Sequence, residues 1–386
     1  MPLPPLVEPG PSLSTAELTR YSRHVLVPGV GDEGQRRLSN ARVLVVGAGG
    51  LGSPVLLYLA AAGVGTLGIV DFDTVDTSNL QRQVVHPTSA VGLPKVDSAA
   101  QTVAGTNPHV VVERHPIRLD ASNALDLVSR YDLVVDGCDN FPTRYLVNDA
   151  CVLAGKPLVW GSVLRFDGQV TVFWSAPPEG HRAIQYRDVF PRPPAAGTVP
   201  SCAQAGVLGA VCGAVGSAMA IEALKLVMGV GEPLLGRMAV LDALAGTWRH
   251  VPLRPSPDTP VITELTDQDE VCDVALPTIA ATELAGRLAA RERGEEDFDL
   301  VDVREPDEHA LVAIPGSRLV PQGLFADDEA FDELPRDRDV ILYCRSGVRS
   351  ADVLRRARER GLSRASHLGG GVLAWVDEVD PALPRY

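Results

Sequence analysis

A glycine-rich loop near the start of the chain has the residue types and spacing of a phosphate-binding turn. The sequence GAGGLG at 47–52 follows an apolar run and opens a helical pattern, and Asp71 ends the next apolar run. Small residues let the backbone approach a phosphate at a helix N-terminus, while a carboxylate in that position can bind ribose hydroxyls. These residues predict a nucleotide site, and an NAD(P)-dependent oxidoreductase would share all of them.

The chain after Asp71 adds positive charge to this nucleotide site. The segment DFDTVDTSNLQRQ carries Arg82, and Lys95 is one of only three lysines in the sequence. Nicotinamide chemistry has little use for two added cations, whereas a triphosphate that releases pyrophosphate needs its negative charge offset. Adenylation therefore fits better than hydride transfer. The alternatives are a surface salt bridge for Arg82 and a solvated position at a helix start for Lys95.

Asp139 and Asn140 end the apolar run YDLVVDGCDN. Ligands of open α/β sheets gather at the carboxyl ends of the strands, and an aspartate there can hold Mg²⁺ against phosphate oxygens. The alternative is that this pair only caps the next helix. We therefore expect Asp139 to be the metal ligand of the nucleotide site.

Two of the six cysteines stand where a thiolate would be stabilised. Cys202 follows a proline-rich stretch and precedes a glycine-rich helix, which places it near a helix N-terminus. Cys344 begins the loop CRSGVR, whose amides and two arginines would stabilise an anion at sulfur, as a persulfide requires. A Cys-based phosphatase would instead use a loop one residue longer, Cys-x5-Arg. The cysteines that we interpret as core are Cys138, Cys151 and Cys212.

Alternating strand and helix patterns must position these residues. From Arg42 onward, apolar runs interleaved with helical segments predict a parallel sheet covered on both faces. A second, smaller alternation follows a weakly patterned stretch, so we predict an α/β fold with a Rossmann-like adenylation domain, a mostly parallel sheet and a small C-terminal α/β domain. The expected divisions are a disordered tail at 1–11, the adenylation domain at 12–255, a linker at 256–275 and the second domain at 276–386.

Composition excludes several classes of protein. A net charge of −14 gives no reason to bind nucleic acid or anionic lipid over the whole surface. The start of the chain has neither a basic region nor an apolar run, so we expect a cytoplasmic protein without a signal peptide. The apolar stretch at 205–221 is short for a membrane span and rich in Gly and Ala, which favours a buried helix.

The nucleotide-site residues together resemble the ubiquitin-activating-enzyme-like adenylyltransferases that activate bacterial sulfur carrier proteins. Within that superfamily, the molybdopterin-synthase and thiamine sulfur-carrier enzymes (the MoeB and ThiF group) are similar in the segments GAGGLG, DFDTVDTSNLQRQ, PKVDSA and DGCDNFPTRYLVND. The resemblance covers about residues 12–255 and implies an ATP site with Asp139 on Mg²⁺. The implied nucleotide-binding residues are Gly47, Gly49, Gly50, Gly52, Asp71, Ser78, Asn79, Leu80, Gln81, Arg82, Lys95, Asp139 and Asn140.

The same resemblance implies an assembly and a second role for one cysteine. It implies a homodimer in which Arg23 reaches into the neighbouring subunit's nucleotide site. It also implies that Cys202 attacks the activated carrier or receives it transiently. The zinc cysteines common in this family are missing, because the corresponding stretches read QYRD at 185–188 and TPVI at 259–262. Thiolate coordination is impossible there, so we expect no zinc and segments held by packing.

The C-terminal region resembles rhodanese sulfurtransferases in LVDVREPDEH, IPGS, VILYCRSGVRS and HLGGGVLAW, over about residues 276–386. The whole chain is then similar to fused adenylyltransferase and sulfurtransferase proteins of the MoeZ type. That resemblance implies ATP-dependent adenylation of the C-terminal glycine of a small ubiquitin-like sulfur carrier protein ending in Gly-Gly, with Arg82 and Lys95 offsetting charge.

In the implied second step, a persulfide on Cys344 displaces AMP and the carrier becomes a thiocarboxylate. Molybdenum cofactor biosynthesis uses such a carrier, and so do cysteine, thiamine and secondary-metabolite pathways, so the pathway is left open. The sulfur donor is left open between a cysteine desulfurase and thiosulfate. Two alternatives remain at the level of the sequence: a non-catalytic scaffold that binds the carrier, and an NAD(P)-dependent oxidoreductase with a redox-sensing domain.

Overall fold

The computed structural model describes residues 3–193, 206–266, 276–325 and 329–385. These residues divide into two compact units, the first ending at 266 and the second beginning at 276. Each unit has its own sheet and its own hydrophobic core.

The first unit contains eight strands in its described residues. The strands are β1 (Arg42–Val46), β2 (Thr66–Val70), β3 (Val111–His115), β4 (Leu133–Asp136), β5 (Leu158–Leu164), β6 (Asp167–Phe173), β7 (Arg237–Asp242) and β8 (Thr247–Pro252). The helices are α1 (Thr15–Val25), α2 (Gly31–Asn40), α3 (Gly52–Ala62), α4 (Lys95–Thr106), α5 (Ala124–Ser129), α6 (Phe141–Ala154), α7 (Tyr186–Val189) and α8 (Gly209–Met228).

These strands form one mixed sheet with the order β3-β2-β1-β4-β5-β6-β7-β8. The pairs from β3 to β5 are parallel, and those from β5 to β8 are antiparallel. β1 is buried along almost its whole length because helices cover both faces of the sheet, which is why its sequence is a continuous apolar run. The strand order reverses direction between β1 and β4, and ligands bind beside such a switch point.

Helix ends in this unit follow local sequence signals. Ser14 forms a capping box with Glu17 at the start of α1, and Asn140 caps α6 by accepting a hydrogen bond from the Thr143 amide. Gly63 and Gly155 end α3 and α6 in the left-handed conformation.

The N-terminal residues 3–11, expected to be a disordered tail, lie against the first unit. Leu3 and Val7 are buried in its core, and the Leu6 amide donates to the Leu226 carbonyl. The Arg37 guanidinium also donates to the Val7 carbonyl at 2.6 Å. Two apolar side chains and these hydrogen bonds therefore offset the entropy lost in ordering this proline-rich segment.

α8 is the one helix of the described residues that is long and apolar enough to cross a membrane. It packs against α3, β5 and β6, and residues such as Val215 and Met219 have no exposed side-chain surface. Its apolar composition is accounted for by burial on several sides, as expected from its glycines and alanines.

The second unit has an all-parallel sheet with the order β11-β10-β12-β13-β9. Its strands are β9 (Thr278–Ile279), β10 (Phe298–Asp302), β11 (Arg318–Leu319), β12 (Asp339–Tyr343) and β13 (Ala365–Leu368). Its helices are α9 (Ala281–Glu292), α10 (Pro306–Leu311), α11 (Glu329–Asp332), α12 (Val348–Glu359) and α13 (Gly371–Glu378). Separate apolar clusters cover the two faces of this sheet.

Candidate active sites

A pocket opens in the first unit at the carboxyl ends of β1, β2 and β4. It encloses about 900 Å³ including its open mouth, a size typical of ligand sites. Among the residues proposed from the sequence, those lining it are Gly47, Gly49, Gly50, Asp71, Arg82, Lys95, Asp139 and Asn140. Further lining residues that sequence reasoning did not select include Asp73, Gln83, Arg118, Cys138, Arg144 and Cys212.

The glycine turn between β1 and α3 forms one wall of the pocket. Gly47 has a φ of +87°, and a Cβ on Gly52 would lie 1.9 Å from the Gly47 carbonyl oxygen, so Gly52 allows the backbone to fold back on itself. The Asp71 carboxylate accepts hydrogen bonds from the Ala48 amide at 2.8 Å and the Asp73 amide at 2.9 Å. Asp71 thus fixes the turn as well as facing the pocket.

Burial raises the pKa of Asp71, although the positive charge of Lys95 and the two amide hydrogen bonds act in the opposite direction.

The buried His86 side chain is hydrogen-bonded to the same turn. Its Nε2 lies 2.9 Å from the Ala48 carbonyl oxygen and its Nδ1 lies 2.9 Å from Ser98 Oγ. A carbonyl only accepts, so Nε2 carries the hydrogen and Nδ1 accepts from the serine hydroxyl. Burial lowers the pKa of His86, while the Ala48 hydrogen bond opposes that shift, and the ring is therefore neutral at pH 7.

The positive side chains of the pocket are already engaged with the protein. Lys95 Nζ lies 2.8 Å from Asp73 Oδ2, and the Lys95 side chain is only 8% exposed. Arg82 donates to the Ser78 carbonyl at 3.1 Å, and Arg144 donates to the Cys138 carbonyl at 3.2 Å. Incoming phosphates would exchange for some of these partners.

Several predicted site residues do not line this pocket. Ser78 and Asn79 belong to a short 3₁₀ turn capped by Asp76, whose carboxylate accepts from the Ser78 amide and hydroxyl. Leu80 and Gln81 follow it, and the loop brings only Arg82 and Gln83 to the pocket wall. Gly52 lies beneath the turn, and Arg23 is an exposed residue of α1 away from the pocket.

Asp139 and Asn140 play different parts at the mouth of the pocket. The Asn140 side chain is committed to capping α6, the role that we gave as its alternative. Asp139 is exposed and faces the pocket, so its carboxylate is available to a cation that accompanies phosphates. Among the described residues, no group of three or more His, Cys, Asp or Glu side chains could hold a metal by itself.

The stretches expected to replace the family's zinc cysteines are joined by one carboxylate. Asp188 accepts from the Ser256 amide at 3.0 Å and from the Thr259 hydroxyl at 2.6 Å. It also accepts from the Gln185 amide at 2.7 Å. Hydrogen bonds, in addition to the packing that we expected, therefore connect the segments 185–188 and 256–259.

The thiols differ in accessibility and surroundings. Cys202 lies outside the described residues. Cys138, Cys151 and Cys212 are buried, and Cys138 and Cys212 also line the nucleotide pocket. Burial raises the pKa of both Cys138 and Cys151, which makes these two thiols poor nucleophiles.

The Cys344 loop of the second unit connects β12 to α12. The Gly347 amide donates to Cys344 Sγ at 3.2 Å, and α12 begins at the next residue, so its N-terminus faces the sulfur loop. Arg349, one of the two arginines expected to act on the sulfur, donates to both carboxylate oxygens of Glu308 at 2.6 Å. Its charge is therefore shared with a carboxylate.

A buried ion pair holds the strand beside this loop. Arg304 and Asp302 have no exposed side-chain surface and are 2.5 Å apart, and His309 Nδ1 lies 2.8 Å from the same carboxylate. Burial by itself would raise the pKa of Asp302, but the Arg304 and His309 hydrogen bonds hold it below the ordinary value. This geometry indicates a structural role for the pair.

A family model described as ThiF matches residues 21–261, which is more than half of the chain. The chain belongs to the ThiF family. This ThiF-family protein also matches a rhodanese-like domain over residues 284–378.

Relatives of this ThiF-family protein match either nearly the whole chain or about two thirds of it. The chain is 51% identical over 389 residues to the probable adenylyltransferase/sulfurtransferase MoeZ of Mycobacterium tuberculosis, covering 100% of this chain and 99% of that protein. It is 52% identical to a sulfur carrier protein adenylyltransferase of Thermus thermophilus, covering 67% of this chain and 95% of that protein. The adenylyltransferase and sulfurtransferase MOCS3-2 of Zea mays is 39% identical, covering 98% of this chain and 83% of that protein.

Solved structures share the fold of the first unit at low identity. PaaA has a TM-score of 0.54 at 23% identity, covering 63% of this chain and 75% of that chain. E. coli MccB with MccA-N7isoAsn has a TM-score of 0.55 at 21% identity, covering 65% of this chain and 75% of that chain. These similarities concern the fold alone.

Proposed function

We propose that this ThiF-family protein adenylates the C-terminal glycine of a small ubiquitin-like sulfur carrier protein and then converts that carrier to a thiocarboxylate. The observation that carries the proposal is the pocket in which the glycine turn, Asp71 and the basic side chains Arg82 and Lys95 meet. Full-length similarity to proteins named adenylyltransferase/sulfurtransferase supports it. Family membership also favours adenylation over the oxidoreductase alternative.

In the first step, the carrier carboxylate attacks the α-phosphate of ATP, and pyrophosphate leaves. The amides of the glycine turn and the side chains of Arg82 and Lys95 offset the charge on the phosphates. The Asp71 carboxylate, which lines the pocket, accepts from the ribose hydroxyls in this proposal. A Mg²⁺ ion bound by Asp139 would neutralise phosphate charge, and the exposure of this carboxylate in the pocket fits that role.

In the second step, a persulfide on Cys344 attacks the acyl-adenylate carbonyl and AMP leaves, which gives an acyl-persulfide. A thiol then attacks the Cys344 sulfur, so that the carrier departs as a thiocarboxylate and a disulfide forms. We propose Cys202 or an external thiol for this reduction. Cysteine desulfurase and thiosulfate are the two candidate sources of the persulfide sulfur.

The remaining parts of the proposal concern assembly and location. Arg23 is exposed on α1, as a residue that completes a neighbouring subunit's site in a homodimer would be. We propose a soluble homodimer in the cytoplasm that binds neither nucleic acid nor membrane. We also expect no bound zinc, because hydrogen bonds to Asp188 already join the segments 185–188 and 256–259. Metal analysis of the purified protein tests this expectation.

Pyrophosphate exchange with a Gly-Gly-ended carrier tests the adenylation step directly. We expect exchange that requires the carrier, ATP and Mg²⁺, and that Lys95→Met reduces strongly. Cys344→Ala should keep the exchange and abolish the thiocarboxylate, which mass spectrometry detects as replacement of one oxygen by sulfur. Absence of exchange with every carrier tried would contradict adenylation and favour the scaffold alternative.

A further inference from the structure

His367 is a buried histidine beside the sulfur loop that the proposed reaction does not yet use. It lies on β13, between β12 and β9, and is 8% exposed. Its Nδ1 lies 3.2 Å from Ser350 Oγ, and its Nε2 lies 3.1 Å from Thr278 Oγ1. Ser350 Oγ in turn lies 3.7 Å from Cys344 Sγ, so a chain of hydrogen bonds links the imidazole to the thiol.

The neighbours of His367 and Ser350 limit which atoms of this hydrogen-bond relay carry the hydrogens. The Thr278 hydroxyl donates to the Leu276 carbonyl at 2.9 Å, so its oxygen is left to accept from His367 Nε2. Nε2 therefore carries the hydrogen and Nδ1 can accept one. The Ser350 hydroxyl has two acceptors within reach, the Gly347 carbonyl at 3.0 Å and His367 Nδ1 at 3.2 Å, and it serves the relay when it donates to Nδ1. The Ser350 oxygen can then accept a hydrogen from the Cys344 thiol.

The burial of Cys344 favours an internal proton acceptor near pH 7. The residue is 1% exposed, so its thiol has little direct contact with bulk water. Among the residues that the structure describes, two polar groups contact Sγ, the Gly347 amide and the Ser350 hydroxyl. Of these two, only the hydroxyl oxygen can accept a hydrogen, so Ser350 is the candidate acceptor of the thiol proton.

We propose that His367 is a positioning residue for Cys344 and that, through Ser350, it takes up the proton that the thiol loses on becoming a nucleophile. The thiol proton moves to Ser350 Oγ as the serine hydrogen moves to His367 Nδ1. The products are a thiolate and an imidazolium, with the new serine hydroxyl donating to the sulfur. No electrons move, and the proposal rests on the sulfur-transfer function assigned above to Cys344.

The electrostatic surroundings of His367 support this role. Burial lowers its pKa, so the ring is neutral and able to accept a proton at pH 7, while the Gly347 carbonyl favours the protonated form and limits that shift. β9 contributes no titratable side chain. β12 ends at Tyr343, whose hydroxyl is hydrogen-bonded to Ser317, and Cys344 follows it directly.

The helix packed against β13 brings charges that already have partners. α12 contributes the buried Arg349, paired with Glu308, and the buried Asp352, paired with Arg355. Because Arg349 shares its charge with a carboxylate, the proton held on His367 supplies a positive charge close to the new thiolate. A thiolate in this loop is therefore balanced by the histidine as well as by the Gly347 amide.

The test is the pH dependence of sulfur transfer by the full chain, with thiosulfate as donor and cyanide as acceptor. We expect His367→Gln to lower kcat/KM near pH 7 by about 10-fold or more, with recovery toward the wild-type value as the pH rises to about 9.5, because hydroxide then removes the proton. Ser350→Ala should behave in the same way. His309→Gln, the matched control on the Asp302 ion pair, should keep the wild-type pH profile.

Thr278→Val keeps the test decisive if His367→Gln fails to fold. Thr278 is exposed, and its loss removes the acceptor that stabilises imidazolium at Nε2. The pKa of His367 should then fall, so the acid side of the profile should move to lower pH and the plateau value of kcat/KM should drop. A His367→Gln or Thr278→Val profile parallel to that of the wild type would overturn the proton relay alone. Wild-type thiocyanate formation that survives Cys344→Ala would instead overturn the sulfur-transfer function on which it rests.

Discussion

Replacing Gly52 by alanine should disable the nucleotide site, although alanine suits a helix better than glycine. Gly52 is the first residue of α3 and does not have a positive φ, so on conformational grounds alone the change would stabilise the helix by about 1 kcal/mol. The added Cβ, however, would lie 1.9 Å from the Gly47 carbonyl oxygen and 2.9 Å from its carbon. The contact is with backbone, which cannot rotate away as a flexible side chain could.

The size of the effect follows from the displacement that the contact demands. The Gly47 carbonyl must retreat by roughly 1 Å, and overpacking of this kind costs about 1–3 kcal/mol or more. The same turn aligns amides with phosphates, and a misplacement of about 1 Å can cost on the order of 100-fold in a positioned reaction. We therefore expect a net loss of about 2 kcal/mol in unfolding free energy and ATP binding weakened by more than about 10-fold.

Gly49→Ala is the matched control for stability. A Cβ on Gly49 meets only Gln83 Nε2, at an ordinary 3.6 Å, so the folded state accepts it. Calorimetric unfolding of both variants, with titration of ATP, separates the two positions. Gly49→Ala should unfold as the wild type does, even if its methyl group hinders ATP in the pocket. A Gly52→Ala protein as stable as the wild type, with unchanged ATP affinity, would refute the steric reasoning.

Three further predictions concern stability. Asp188→Ala removes the acceptor of three hydrogen bonds and should cost about 2 kcal/mol, with faster amide exchange at 256–259 as the local readout. Glu308→Ala leaves the buried Arg349 without its carboxylate and should cost about 3 kcal/mol, whereas Glu295→Ala, at an exposed pair, should leave the unfolding midpoint unchanged. Burial by itself would raise the pKa of Glu308, but the hydrogen bonds and the positive charge of Arg349, with smaller contributions from the Glu305 amide and Arg304, hold it below the ordinary value. The stability that ionised Glu308 contributes is therefore fully present above pH 4.5, its ordinary pKa, and is lost as the pH falls below that value. Below pH 4.5, the unfolding temperature of the wild type should therefore drop more than that of Glu308→Gln. The pKa of His86 is also lowered, but for a base this means that stability is full above the ordinary value of 6.5 and declines below it, a slope that His86→Asn should reduce.

The parts of the nucleotide site that sequence predicts best are those fixed by the backbone of a parallel sheet. The glycine turn and Asp71 follow β1 and β2 directly, Asp139 comes three residues after β4, and parallel strands bring their carboxyl ends to one edge. Ser78 and Gln81 were selected by the same motif but do not line the pocket. Their direction depends on the turn capped by Asp76, a hydrogen-bond detail that motif spacing does not determine.

Long-range partners account for most of what the sequence leaves open. Nothing in the spacing of Arg349 and Glu308 shows that they pair across 41 residues. The N-terminal segment 3–11 is held in part by the hydrogen bond from the Leu6 amide to the Leu226 carbonyl, whose residue lies more than 200 positions away in sequence. The relay from Cys344 to His367 likewise joins a loop, a helix and a neighbouring strand, so only the folded sheet brings its members together.

The charge of the nucleotide pocket differs from that of the protein as a whole. The chain carries −14, whereas the described side chains that line the pocket include four basic and three acidic ones, namely Arg82, Lys95, Arg118, Arg144, Asp71, Asp73 and Asp139. A negative net charge combined with a slightly basic cleft disfavours long polyanions but still admits a single nucleotide. If Lys95 turns from Asp73 to a phosphate, the Asp73 carboxylate loses its counter-charge beside the same phosphates. A divalent cation between carboxylate and phosphate oxygens removes that repulsion, so we expect ATP affinity to fall when Mg²⁺ is withdrawn, and to fall less in Asp73→Asn.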